Sequence, residues 1–168
     1  RTIQKTYMAV CHGVPPLKGD VIDMPIGQDR YIREKQAVRK ESAGGKPAVT
    51  LYEVQKVFDA PPEVNLALSP HVHDHKNPPP PQRFSLIKLT PKTGRTHQLR
   101  VHMSHIGFPM VGDTMYGGRI FELGDFRFER QALHAYEITF VHPITLKTMT
   151  LAAPIPPDMA RLMELLIP

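Results

Sequence analysis

Proline occurs 18 times in these 168 residues, roughly twice the usual share. Each proline fixes φ, lacks an amide hydrogen and ends or kinks a helix. Extended segments and loops should therefore outweigh long helices. Alternation in KTYMAVCHG (5–13) puts Tyr7, Ala9 and Cys11 on one face of a strand and Met8 and Val10 on the other, with Gly13-Val14-Pro15-Pro16 ending it. VTLYEVQKVF (49–58) reads as a second strand with Tyr52, Val54 and Phe58 in one register, and RFSLIKLTPKTG (83–94) as a third. HAYEITFVHPITLKTMTLAAP (134–154) reads as a hairpin turning near Pro143-Ile144-Thr145. Residues 17–48 are polar and rich in glycine turns, and should be loop and hairpin.

Helical signals are few. In 96–106, Leu99, Met103 and Ile106 share a face, Thr93 or Thr96 is placed to cap the start, and Gly107 followed by Pro109 ends the run. Pro157-Asp158 opens a C-terminal helix whose Met159, Leu162, Met163 and Leu166 form a stripe with the spacing of a core face. The expected fold class is α+β: a mainly antiparallel mixed sheet with few flanking helices and long loops, in a single domain spanning residues 1–168.

The single Cys11 excludes an intrachain disulfide, and no apolar run approaches the ~18 residues of a membrane span. A cytoplasmic monomer with no membrane partner is the expectation. The net charge of +5 is unevenly spread, since residues 1–46 hold nine Lys/Arg against five Asp/Glu and residues 83–119 hold six against one. If folding brings these two segments together, they form a face suited to a polyanion.

Two histidine groups raise a metal reading. HVHDH (71–75) places alternate histidines on one side of an extended segment, but prolines flank it and no further ligand is evident. His97, His102 and His105 have no intervening carboxylate of the kind a zinc hydrolase uses, so buried histidines holding backbone carbonyls are the better account. No metal or cofactor is expected. Thr93-Gly94-Arg95-Thr96 at a helix start offers free amides to a phosphate, a weak signal by itself. Arg100 follows an inward-facing Leu99, and a partly buried guanidinium needs a carboxylate or phosphate beside it.

LIKLTPKTGRTHQLRVHMSHIGFPMVGDTMYGG (86–118) resembles the most characteristic motif of the RluA-type RNA pseudouridine synthases. KTYMAVCHG (5–13), GDVIDMPIG (19–27), GGKPAVTLYEV (44–54) and ALHAYEITFVHP (132–143) resemble that family's other signatures, in the family's order. The resemblance implies isomerisation of uridine in structured ribosomal or transfer RNA without a cofactor, on a target base flipped from its stack. It implies that Tyr7 stacks on the base and helps to move its proton, that Arg100 pairs with a catalytic aspartate, and that Leu99 packs beside the uracil. His97, Gln98 and Thr96 would shape the site, while Lys88, Lys92 and Arg95, with Arg33 and Lys35 from the first basic segment, are the candidate RNA contacts.

Two departures from the family accompany the resemblance. Residues 59–82 form a longer, Pro/His-rich loop insertion than the family pattern suggests. The family's nucleophile lies in a His-Arg-Leu-Asp-x-x-Thr-Ser-Gly segment before the first strand, and none of the eight aspartates here follows Arg-Leu. The chain is thus expected to be the C-terminal portion of a pseudouridine synthase catalytic domain, inactive alone, the alternative being a non-catalytic RNA-binding protein on the same scaffold.

Overall fold

The computed structural model describes residues 3–69 and 82–168. Its centre is a six-stranded, entirely antiparallel sheet in the order β11-β10-β1-β7-β5-β2. These strands are β1 (Gln4–His12), β2 (Gly19–Asp23), β5 (Val49–Asp59), β7 (Arg83–Pro91), β10 (Leu133–Val141) and β11 (Thr148–Ala152). A small hairpin pairs β3 (Ile26–Gln28) with β4 (Gln36–Val38), and β6 (Asn65–Ala67), β8 (Ile120–Leu123) and β9 (Phe126–Phe128) form a third sheet. Among the described residues the two α-helices are α1 (Gln98–His105) and α2 (Pro157–Leu165).

Alternation along β1 decides which layer each residue joins. Ala9 and Cys11 face a core with Ile87, Leu89, Tyr52 and Val54, closed by Leu99 and Met103 of α1. Val10 faces the opposite core, with Phe84, with Phe121 and Phe128 of the small sheet, and with Met159 and Leu162 of α2. The middle of the sheet, β1, β7 and β5, is thus buried on both faces, with α1 on one side and α2 plus the small sheet on the other, while β10 and β11 at one edge and most of β2 at the other are half-buried or exposed. The α2 stripe is a core face as its spacing indicated: Met159 and Leu162 are fully buried.

Several expectations need correction. Tyr52, Val54 and Phe58 do not share a face: Val54 pairs with Ile87 but Lys56 with Leu86, so Gln55 is an extra residue in a β-bulge. The bulge shifts the period by one, sending Phe58 into the core with Val10 and Phe84 while Val57 packs on the side of Tyr52. The stretch 120–128 forms a hairpin with Gly124 at φ 58, and residues 65–67 of the Pro/His-rich segment add a short strand to it. The HVHDH stretch lies outside the described residues.

Candidate active site

The site begins where β7 ends. Gln98, buried at the start of α1, uses its whole amide: Nε2 donates to the Val49 carbonyl (2.9 Å) and Thr50 Oγ1 (3.0 Å), while Oε1 accepts from Thr93 Oγ1 (2.7 Å) and the Arg95 amide (3.0 Å). Thr93 Oγ1 in turn accepts from the Val49 amide at 2.9 Å. One side chain thereby ties β5, the 92–97 loop and α1 together, and every polar atom of the buried amide is satisfied. Neither Thr93 nor Thr96 caps the helix; the N-cap is His97, in the left-handed region at φ 55 and ψ 21, with no side-chain capping bond. Thr93 is taken up by the Gln98 brace instead.

His102 extends the same network into the core. Its Nδ1 lies 2.8 Å from Thr50 Oγ1 and its Nε2 2.9 Å from the Met24 carbonyl, which can only accept. Nε2 therefore carries the proton and Nδ1 accepts from the Thr50 hydroxyl. Burial lowers its pKa from the ordinary value. His102 holds a backbone carbonyl, as expected of all three histidines, but His97 is half-buried and bonds the Tyr116 hydroxyl instead, and His105 is exposed.

An open cleft of about 710 Å³ lies between β1, the 92–97 loop, the first turn of α1 and residues 131–133. Tyr7, Leu99 and Arg100, singled out in separate motifs, all line it, together with Lys5, Lys92, Arg95, His97, Gln98 and Leu133. Opposite Tyr7, β10 carries an extra residue: Thr6 pairs with Glu137 and Tyr7 with Ala135. Bulges recur next to active sites because they re-aim a side chain. Leu99 and Leu133 give the cleft apolar surface, and Lys5, Lys92 and Arg95 are exposed around it. Arg95 is itself steadied by donation from Nε to the Pro47 carbonyl at 2.8 Å. No Asp or Glu lines the cleft among the described residues.

Arg100 reaches the cleft from a buried anchor. Its Nε donates to Asp113 Oδ2 (3.0 Å) and its Nη2 to Asp113 Oδ1 (2.8 Å), with the Asp113 side chain 1% exposed and that of Arg100 14%. The guanidinium also lies 4.9 Å from the ring centroid of Tyr116. Asp113 does not line the cleft, so the arginine has a buried carboxylate partner already, while Nη1 has no hydrogen bond among the described residues. The 13-residue separation hid this pair. The loop that makes it needs Gly112 and Gly117 at φ 76 and 90, and needs no Cβ at Gly118, which donates to the Asp113 carbonyl.

The two basic segments meet here only in part. Lys5 of the first joins Lys92, Arg95 and Arg100 of the second, and Lys46 meets Arg95 and Thr96 in an adjoining cleft of about 310 Å³. Lys35 sits 5.6 Å from the Tyr116 ring centroid, and Arg33 is exposed in the β3–β4 turn. Lys88 stands apart. It pairs with Met8 between Ile87 and Leu89, so it projects from the sheet face opposite Tyr7.

Residues 1–105 match the family model described as RNA pseudouridylate synthase. The chain belongs to that family. It is 37% identical over 98% of its length to the uncharacterized RNA pseudouridine synthase YlyB of Bacillus subtilis (strain 168), covering 44% of that protein. It is 38% identical over 99% of its length to the ribosomal large subunit pseudouridine synthase D of Vibrio parahaemolyticus, covering 46% of that protein. Among solved structures it resembles human RNA Pseudouridylate Synthase Domain Containing 1, with a TM-score of 0.66 and 26% identity over 99% of this chain and 60% of that one. The chain thus spans less than half the length of these two curated relatives. The α+β, mainly antiparallel architecture is the family's. No helix among the described residues is long and apolar enough to cross a membrane.

Proposed function

We propose that this chain forms the base-binding and arginine side of a catalytic centre that isomerises uridine to pseudouridine in structured RNA, as one domain belonging to the C-terminal portion of a larger catalytic unit. In that reaction the C1′–N1 bond breaks, the uracil turns within its pocket, a C1′–C5 bond forms, the C5 hydrogen leaves and N1 gains one. The protein must hold a detached base and stabilise a carboxylate near the sugar.

The observation that carries the reading is the convergence of Tyr7, Leu99 and Arg100 on one cleft whose arginine is anchored on one edge and open on the other. Tyr7 supplies a ring face for the flipped base, Leu99 packs beside the uracil, and Nη1 of Arg100 receives a carboxylate brought to the cleft. Asp113 is not that carboxylate, because both its oxygens are held by Arg100 and its side chain is 1% exposed. Lys5, Lys92 and Arg95 hold the RNA backbone, with Arg33 and Lys35 extending the contact along the β3–β4 hairpin. Lys88 is not in position to join them. Of ribosomal and transfer RNA, the names of several relatives favour the ribosomal substrate.

The test is tritium release from RNA containing 5-tritiated uridine, with the complete protein. Arg100→Met should abolish release and Arg100→Lys should lose most of it, since an ammonium cannot bridge two carboxylates edge to edge. Tyr7→Phe should keep stacking and turn over more slowly. The 168-residue chain alone should bind RNA and release no tritium. Wild-type turnover by Arg100→Met would end this reading.

A further inference from the structure

His97 and Leu146 are the two non-glycine residues with positive φ among the described residues. Leu146 lies in an exposed hairpin turn, whereas His97 lines the cleft. A left-handed residue at a helix start is strained, and strain held in place by its surroundings is a reason to ask what the side chain does.

The surroundings fix the ring closely. The Gln36 backbone N–H donates to Tyr116 Oη at 2.9 Å, and an N–H can only donate. The Tyr116 hydroxyl is then free to give its own proton to His97 Nδ1, 2.7 Å away, in an edge-to-face arrangement of the two rings. Burial holds the Tyr116 hydroxyl above its usual range, so the proton stays available for that bond. A neutral imidazole that accepts at Nδ1 carries its hydrogen on Nε2. Burial, with Arg100 nearby, lowers the His97 pKa from its ordinary value and favours the neutral ring. Nε2 has no hydrogen bond among the described residues.

We propose that His97 donates a hydrogen bond from Nε2 to a non-bridging phosphate oxygen of the RNA at the target nucleotide, with Tyr116 fixing the tautomer that makes this donation possible. The inference rests on the reading of the cleft as the RNA site. The acceptor follows from the neighbours: Tyr7, Leu99 and Leu133 suit the base, while Lys5, Lys92 and Arg95 are exposed where the sugar-phosphate chain must pass. A half-buried ring in the same cleft is placed to meet the linkage joining base and backbone. As a neutral donor it adds direction rather than charge, so it sets where the phosphate sits while the cations supply attraction. His97 is an RNA-positioning contact, since a phosphate oxygen carries no base information, and Tyr116 a positioning residue acting through it.

Two measurements test this. Side-chain ¹⁵N spectra of the complete protein should show His97 protonated on Nε2 alone, and Tyr116→Phe should introduce the Nδ1–H form; a wild-type His97 protonated on Nδ1 overturns the proposal without any reference to RNA. The second uses His97→Asn. Asparagine tolerates the left-handed backbone and its Oδ1 can accept from Tyr116, but nothing occupies the place of Nε2. Its thermal midpoint should match wild type, while its affinity for a uridine-containing stem-loop RNA falls about tenfold. Placing a methylphosphonate in turn at each loop linkage should identify one position where wild type and His97→Asn bind equally. Equal affinity of the two proteins for the unmodified RNA, or an equal loss at every linkage, overturns the assignment. Lys92→Ala/Arg95→Ala serves as the reference: if that variant binds RNA as wild type does, the reading of the cleft has failed, whereas its weakening beside an unaffected His97→Asn rejects the histidine contact alone.

Discussion

Arg100 grips Asp113 along the Nε–Nη2 edge of its guanidinium and leaves Nη1 without a hydrogen bond among the described residues. A buried carboxylate and a guanidinium cost several kcal/mol to desolvate, and removing one partner strands the other. Asp113→Asn should accordingly destabilise the protein by about 2–4 kcal/mol, less than a full deletion because the amide oxygen still accepts one bond. In Arg100→Met the same substitution should cost much less, because no guanidinium is then left uncompensated. Urea denaturation of the four proteins measures the coupling, and additive losses would show that the pair is not energetically linked.

RNA binding should be steeply salt-dependent. Each phosphate neutralised by Lys5, Lys92 or Arg95 releases counterions, so raising salt from about 50 to about 200 mM should weaken binding severalfold or more. Lys92→Ala/Arg95→Ala should lower the slope of log affinity against log salt by about two. Lys88→Ala, on the other sheet face, should leave the slope unchanged. Filter binding across a salt series decides it, and an affinity indifferent to salt would remove the electrostatic argument.

What the sequence showed, and what it hid, divide along physical lines. Strand periodicity located β1, β5, β7 and the β10–β11 hairpin, and the 3.6-residue stripe located α2, because each is a local pattern with a buried face. Tyr7, Leu99 and Arg100 were legible through motif resemblance, and the fold then places them on one cleft. The bulge at Gln55 was not legible: VTLYEVQKVF contains no Gly or Pro to mark it, and the extra residue is stated only by the pairing with β7. Asp113 as the partner of Arg100 was hidden by a loop whose shape depends on three glycines. Their spacing in VGDTMYGG was the available signal. The place of Lys88, by contrast, could have been read from Ile87 and Leu89 on either side of it.

Stability should fall as pH drops below neutrality. His12 Nε2 accepts from the Arg119 amide at 3.0 Å, which requires that nitrogen to be unprotonated, and burial pushes its pKa down to about 4. A histidine with a depressed native pKa contributes stability that is complete above the unfolded value near 6.5 and is lost as pH falls toward the native value. For His12 the loss between about pH 7 and pH 5 is roughly 2 kcal/mol. His102, also lowered by burial, acts in the same direction. Chemical denaturation at these two pH values tests the sign, and greater stability at pH 5 would contradict it.

Gly117 and Gly118 are adjacent but should respond differently to alanine, and the difference tests how Asp113 is held. At Gly117, φ is 90 and an added Cβ would meet nothing within 4 Å, so Gly117→Ala faces backbone strain alone, about 1–2 kcal/mol. At Gly118 an added Cβ would lie 2.0 Å from the Met110 carbonyl oxygen and 2.8 Å from the Asp113 amide nitrogen, both rigid backbone atoms. Gly118 also donates to the Asp113 carbonyl at 2.8 Å. Gly118→Ala must therefore move the loop that carries Asp113, and with it the anchored edge of Arg100. The expected outcome is a larger loss of thermal stability than in Gly117→Ala, together with a fall in the turnover of the complete protein that Gly117→Ala does not share once both are assayed well below their midpoints. Equal turnover of the two variants would mean that the Asp113 loop does not control the geometry of Arg100.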